Sequence, residues 1–205
     1  MAAITLRGMK LSGHVHRVRL LLGLLELPYD YVETTADDRA AAEFRALNPL
    51  GQVPVLTDGE VALADSNAIL VYLARRYAPD SGWLPTEPVA AAKVQRWLSI
   101  AAGELRYGPA MARSIAVFKR QIDPAPAIAL AETLFAFMDA CLRQGEPFLA
   151  AGRPTLADLA CYAYTARAPE GGVSIEPYAA IRAWLARVEA LPRFTPMPRA
   201  TGPCA

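Results

Sequence analysis

Two rhythms of apolar residues divide the chain. Up to about residue 77, short runs of strand length alternate with stretches of helical spacing. ITLRGMKL reads as a strand, and residues 13–26 as a helix whose apolar side carries Val15, Val18, Leu22 and Leu25. YDYVETT is a second strand and residues 39–47 a second helical stretch. Val53, Val55 and Leu56, apolar and mostly β-branched, predict a third strand. Asp58-Gly59 is a strong two-residue hairpin turn and residues 60–63 a fourth strand. Ile69, Leu70 and Leu73 then open a third helix. A strand, a crossover helix and a second strand imply a parallel pair, here followed by an antiparallel hairpin.

The resulting βαβαββα order is thioredoxin-like. After it, APDSGWLPTEP packs three prolines and a glycine into a breaker-rich stretch that reads as a linker. Beyond the linker no strand pattern recurs. Residues 89–118, 125–143, 155–168 and 177–190 show helical spacing, with Pro124, Pro126, Pro147, Pro154 and Pro177 near the boundaries. Thr155 and Asp158 form a capping box ahead of Leu156, Leu159 and Tyr162, whose role is stability. The expected organisation is therefore α/β plus all-α: a thioredoxin-like domain at 1–78, a linker at 79–88 and an all-helical domain at 89–205, ending in the proline-rich, irregular RFTPMPRATGPCA.

Composition narrows the function classes. With 205 residues, 54% of them hydrophobic, the chain can bury a large core. Its 21 basic and 20 acidic side chains nearly cancel, which argues against a nucleic-acid partner and favours small-molecule ligands. Cys141, Cys161 and Cys204 are odd in number, widely spaced and without a CxxC, so neither a disulfide framework nor a zinc site is expected, and a reducing cytoplasm fits best. The N-terminus has no signal-peptide pattern, and uninterrupted apolar runs fall far short of the roughly 20 residues a membrane span needs. A soluble protein without a membrane partner follows.

The candidate chemistry lies at helix starts and at one proline. Pro54 cannot donate to a ladder, so it marks a sheet edge or a bend. If the chain bends outward there, Val53 has an amide and a carbonyl free to pair with an extended peptide. Asp65 and Ser66 begin the next helix, where free amides and the dipole favour an anion. The plainer alternative is a hairpin followed by a capped helix. Ser12 stands at or beside the cap of the first helix, either as a cap or as a hydroxyl that donates to a thiolate at the positive helix end. His14 and His16 are the only histidines, and their i, i+2 spacing makes no metal pair. GxSxG, GxGxxG and GxxxxGK[ST] are all absent, which removes support for a serine hydrolase or a nucleotide cofactor. Glu104, Arg106, Tyr107, Met111, Arg113 and Lys119 mix charge with apolar surface; if that segment borders the first domain, Tyr107, Met111 and Arg113 line a pocket for an apolar electrophile.

Together SGHVHRVR, NPLGQVPVL, ADSNAILVYLARRY and PTLADLACYAY, in this order over nearly the whole chain, strongly resemble the cytosolic glutathione S-transferases, in particular bacterial, serine-type members. The resemblance implies glutathione as co-substrate, with no metal. It implies that Pro54 is cis, that Val53 pairs with the cysteinyl backbone, that Ser66 holds the γ-glutamyl carboxylate and that Asp65 meets the α-amino group. Arg39 and Gln52 fall where the family contacts the glycyl carboxylate. Ser12 falls where serine-using classes stabilise the thiolate. His14 replaces a small polar residue and is placed at the substrate side. A homodimer and a detoxification role are implied as well. Conjugation is the leading activity. SxxxxRVR with NPxxQVP also looks like the zeta class, whose members isomerise maleylacetoacetate, although SGHV replaces its SSCS-like run. A non-enzymatic ligand-binding or scaffold protein on the same fold is the third reading.

Overall fold

The computed structural model describes residues 3–200. Four strands, β1 (Ile4–Gly8), β2 (Tyr29–Glu33), β3 (Val55–Asp58) and β4 (Val61–Ala64), form one sheet in the order β2-β1-β3-β4. β1 and β2 are parallel, joined by the crossover helix α1 (Gly13–Leu24), while β3 runs antiparallel to both β1 and β4. Leu6 faces Leu56 across the β1–β3 pair, and both are fully buried. β3 is thus an interior strand, which decides between the two readings of Pro54. The proline precedes the first paired residue, Val55, and marks a bend where no ladder donor is required.

The predicted helix at 39–47 is two short helices, α2 (Ala36–Ala40) and α3 (Ala42–Leu47), because Ala41 between them is extended with ψ 150°. Thr35 starts α2 through a capping box, its Oγ1 accepting the Asp38 amide at 3.1 Å while its own amide donates to Asp38 Oδ2 at 2.8 Å. α4 (Ser66–Tyr77) closes the sheet half and packs with α1 on the sheet.

Residues 78–87 contain neither helix nor strand. The helical half holds α5 (Pro88–Ala102), α6 (Glu104–Tyr107), α7 (Pro109–Val117), α8 (Ala125–Arg143), α9 (Leu156–Ala166), a 3-10 turn (Ala168–Gly171) and α10 (Ala179–Glu189). The single helix predicted over 89–118 is therefore three. At Gly108 the chain turns to admit α8: a Cβ there would sit 2.8 Å from the Glu104 carbonyl oxygen and 2.9 Å from the Ala131 nitrogen. Pro109 restarts the helix at its first position, where its missing N–H costs nothing.

α9 is the axle of the molecule. Every residue from Leu156 to Thr165 is buried, as its apolar character all round requires, with α5 on one side and α1 on another. α8 is long and apolar enough to cross a membrane by length and composition, but Leu134, Phe135, Met138 and Leu142 pack into the core. The irregular stretch around Thr195 and Met197 is tied down: Met197 is 1% exposed, the Thr195 carbonyl lies 2.8 Å from His16 Nε2, and the Met197 carbonyl accepts from Arg167. Cys161 is a packing thiol that burial pushes up to about 12, Cys141 is half-buried, and Cys204 lies outside the described residues.

Candidate active site

Two helix starts and one chain bend carry the candidate site residues. Ser12 is the N-cap of α1, its Oγ accepting the Val15 amide at 3.3 Å. That bond uses an oxygen lone pair and leaves the hydroxyl proton free to be donated. The cap role is therefore compatible with a donor role for the same side chain.

At the second helix start Asp65 is the N-cap of α4, and its Oδ1 accepts the amides of Asn67 and Ala68, each at 2.9 Å. Oδ2 takes no part in the cap. Asp65 holds φ 69° with ψ 122°, a positive-φ conformation outside the left-handed helical well that costs about 1–3 kcal/mol. Ser66 follows, 3% exposed, with its hydroxyl at the positive end of the helix.

The two starts touch. His14 Nδ1 lies 3.4 Å from Ser66 Oγ, and its ring meets the edge of Tyr164 with centroids 5.1 Å apart. Burial first, then the guanidinium groups of Arg17 and Arg106, holds the imidazole well below its ordinary value, so His14 is neutral at physiological pH. Arg17 lies beneath. It is 1% exposed, and its NH1 donates to Ser66 Oγ at 3.2 Å and to Asn67 Oδ1 at 2.7 Å. Its Nε and NH2 make no hydrogen bond among the described residues. A buried guanidinium bonded only to neutral oxygens places positive charge behind a helix N-terminus, which is the electrostatic setting of an anion site.

The bend supplies the third part. The Val53–Pro54 bond is cis, and Val53 stands outside the ladder, its amide and carbonyl without a backbone partner among the described residues. Asn48, 6% exposed, braces the approach by donating from Nδ2 to the Gln52 carbonyl at 2.9 Å.

Other predicted residues are placed differently. Arg39 is half-buried on α2, where its Nε donates to the Thr35 carbonyl at 3.1 Å, and the Gln52 side chain is exposed. Tyr107 is 54% exposed on α6 under the guanidinium of Arg106, and Met111 is half-buried on α7. Arg113 departs from the expected pocket position. It is 2% exposed, paired through Nε with Glu170 Oε2 at 2.8 Å and through NH1 with the Leu11 carbonyl at 2.9 Å, so its charge is spent inside the protein. Two residues escaped the sequence reading. Arg17 sits among Val15, Val18 and Leu21 on the buried side of α1, and an arginine in such a stripe signals a polar task. Tyr164 lies on the all-buried α9, where its hydroxyl must find a partner and takes the Gly13 amide at 3.2 Å.

A small mixed sheet with a cis-proline bend, joined to a helical half built around a buried axle, defines a two-part α/β plus all-α protein. Comparison with known proteins makes the assignment specific. Residues 6–81 match the family profile described as "Glutathione S-transferase, N-terminal domain", and residues 102–192 that described as "Glutathione S-transferase, C-terminal domain". Glutathione S-transferase 3 of Zea mays is 33% identical over 95% of this chain and 92% of its own length. A glutathione S-transferase structure from Pseudomonas fluorescens superimposes with a TM-score of 0.88 at 30% identity, covering 96% of this chain and 99% of that one. The theta-class enzyme of Xanthomonas axonopodis pv. citri, solved with glutathione bound, gives a TM-score of 0.82 at 29% identity over 94% and 95% of the two chains. The chain belongs to the glutathione S-transferase family.

Proposed function

We propose that this transferase binds glutathione extended along Val53 and joins its sulfur to small apolar electrophiles. The observation that carries the reading is the pairing of two helix starts, Ser12 on α1 and Ser66 on α4, across the 3.4 Å His14–Ser66 contact, with the buried Arg17 behind them. In this arrangement the Ser66 hydroxyl and amide receive the γ-glutamyl carboxylate. Asp65 Oδ2 faces the α-amino group, and the Val53 amide and carbonyl pair with the cysteinyl backbone. The Ser12 hydroxyl donates to the thiolate. Arg39 and Gln52 are the candidates for the glycyl carboxylate.

Catalysis then comes from thiolate population and positioning. A hydroxyl donor and a helix N-terminus that lower a thiol pKa by one or two units raise the thiolate fraction at neutral pH about ten- to hundredfold. His14, Tyr107 and Met111 border the space for the electrophile, where His14 is neutral and Tyr107 offers an exposed aromatic face. A homodimer is the assembly that the family resemblance implies. Detoxification in the cytoplasm fits this chemistry.

Ser12→Ala tests the reading. The bound thiol should titrate about one unit or more higher, and turnover with a halonitroarene should fall about tenfold or further, while glutathione affinity measured by calorimetry changes little. Unchanged turnover and thiol pKa would reduce Ser12 to a helix cap. A panel that adds a peroxide, a disulfide and maleylacetone identifies the class of electrophile.

A further inference from the structure

The turn that carries Ser12 is held from the opposite half of the molecule on both sides of the serine. Before it, the Leu11 carbonyl accepts Arg113 NH1 at 2.9 Å; after it, the Gly13 amide donates to the Tyr164 hydroxyl at 3.2 Å. Arg113 and Tyr164 are 2% and 7% exposed, so neither bond competes with bulk water. Both anchors are themselves fixed. Arg113 is paired with Glu170, and the backbone at Gly171 lies so close to α7 that a Cβ there would be 2.4 Å from the Arg113 nitrogen. The Tyr164 ring occupies the space over Gly13, where a Cβ would meet its Cζ at 2.7 Å.

These bonds do something that local capping cannot. The Ser12 Oγ to Val15 bond and the Ser12 amide to Met9 carbonyl bond, 3.3 and 3.0 Å, fix the serine relative to its own helix and to the chain leaving β1. They say nothing about where that helix start lies relative to α6 and α7, which carry Tyr107 and Met111. The thiolate donor belongs to one half and Tyr107 and Met111 to the other, so the distance between them is set by contacts that cross: the packing of α1 on α9 places the helix, and the two bonds at the turn place the serine. Rate is steeply sensitive to that distance.

We propose that Arg113 and Tyr164 are positioning residues: a two-point clamp through which the helical half sets the place of the Ser12 hydroxyl and hence the register between thiolate and electrophile. The proposal rests on the reading of Ser12 as the thiolate donor.

The test uses four variants of the full chain: Tyr164→Phe, which deletes one hydroxyl and keeps the ring, Arg113→Met, Ser12→Ala and the Ser12→Ala/Tyr164→Phe double. Three quantities are read: kcat, KM for glutathione, and the pKa of the bound thiol from the thiolate's ultraviolet absorbance. Each clamp variant should lower kcat about tenfold and raise the thiol pKa by about half a unit to one unit. KM for glutathione should stay within about twofold, because Val53 and Ser66 are untouched. The double variant should be no slower than Ser12→Ala, since a clamp has nothing left to position. If Arg113→Met does not fold, Arg113→Lys replaces it and retains the charge beside Glu170. Clamp variants with native kcat and thiol pKa, alongside an impaired Ser12→Ala, overturn the clamp and leave the serine reading intact. Losses that multiply in the double variant overturn it too, as general structural damage. A fully active Ser12→Ala removes the serine reading, and the clamp with it.

Discussion

Replacing Asp158 with asparagine keeps the shape of the side chain while removing its charge and one of its two acceptor oxygens. In the native protein this fully buried carboxylate accepts four hydrogen bonds. Oδ1 takes the Leu149 amide and the Trp184 indole N–H at 2.9 Å each, and Oδ2 takes the Thr155 amide at 2.8 Å and its hydroxyl at 3.1 Å. It thereby ties the approach to α9, the first turn of α9 and the core side of α10 to one point. Burial pushes the carboxyl above its ordinary value, and the four donors pull it back. An asparagine oxygen can serve one pair of donors, and its NH2 then confronts the other. If Leu149 and Trp184 keep the oxygen, the Thr155 hydroxyl can turn to accept, but its amide is left buried without a partner, at about 1–3 kcal/mol. The two surviving bonds become neutral and lose about half their strength. Relief of the buried charge offsets part of this, for a net cost of about 2–3 kcal/mol. Asp158→Ala orphans the three N–H groups together and should cost about 4 kcal/mol or more. Urea unfolding followed by tryptophan fluorescence measures both. An asparagine variant within about 0.5 kcal/mol of the native protein would refute the reasoning, because the charge and second acceptor would then contribute nothing.

His16 should make stability pH-dependent: burial lowers its imidazole to about 4 in the folded protein, against an ordinary 6.5 that the unfolded chain retains. Below the unfolded value the unfolded state binds the extra proton, so stability falls as pH drops from 6.5 toward 4, by about 2 kcal/mol between pH 7.5 and 5 from this group alone. His16→Gln, which can still donate to Thr195, should flatten that slope, and equal slopes in urea titrations at the two pH values would contradict it. Gly13→Ala places a methyl within 2.7 Å of the Tyr164 ring and should cost about 1–3 kcal/mol in thermal or urea melts, together with turnover; a native-like variant would mean the ring yields freely. Asp65→Asn keeps an oxygen for the α4 cap and removes the charge, so its stability should hold while glutathione affinity drops about tenfold by calorimetry. Affinity equal to the native protein would confine Asp65 to capping.

The order of elements in this chain was legible because strands and helices write their own period into the sequence. The bounds of α8, residues 125–143, follow from its spacing and flanking prolines, and the Asp58-Gly59 turn and the Thr155–Asp158 box announce themselves by residue type. Val53, Asp65 and Ser66 could be singled out for a similar reason. A proline in a strand and a capped helix start are local irregularities, visible within a few residues.

Relations between distant segments had no such signature. Nothing in residues 89–118 shows that α8 comes within van der Waals distance of Gly108, so three helices read as one. Nothing in VPVLTD says that β3 lies between β1 and β4. Arg113 reads as a pocket residue until Glu170 and Leu11, 57 and 102 residues away, are seen to engage its Nε and NH1. Arg17 and Tyr164 acquire roles only through Ser66 and Gly13. The sequence by itself determined the order of strands and helical stretches, the caps at Ser12, Asp65 and Thr155, and the candidate recognition residues, because these depend on short-range backbone preferences. The tertiary structure decided which strand is interior, where the long helix breaks and which buried side chains hold the Ser12 turn. Those outcomes are set by close packing and by the need of buried polar groups for partners, wherever along the chain the partners lie.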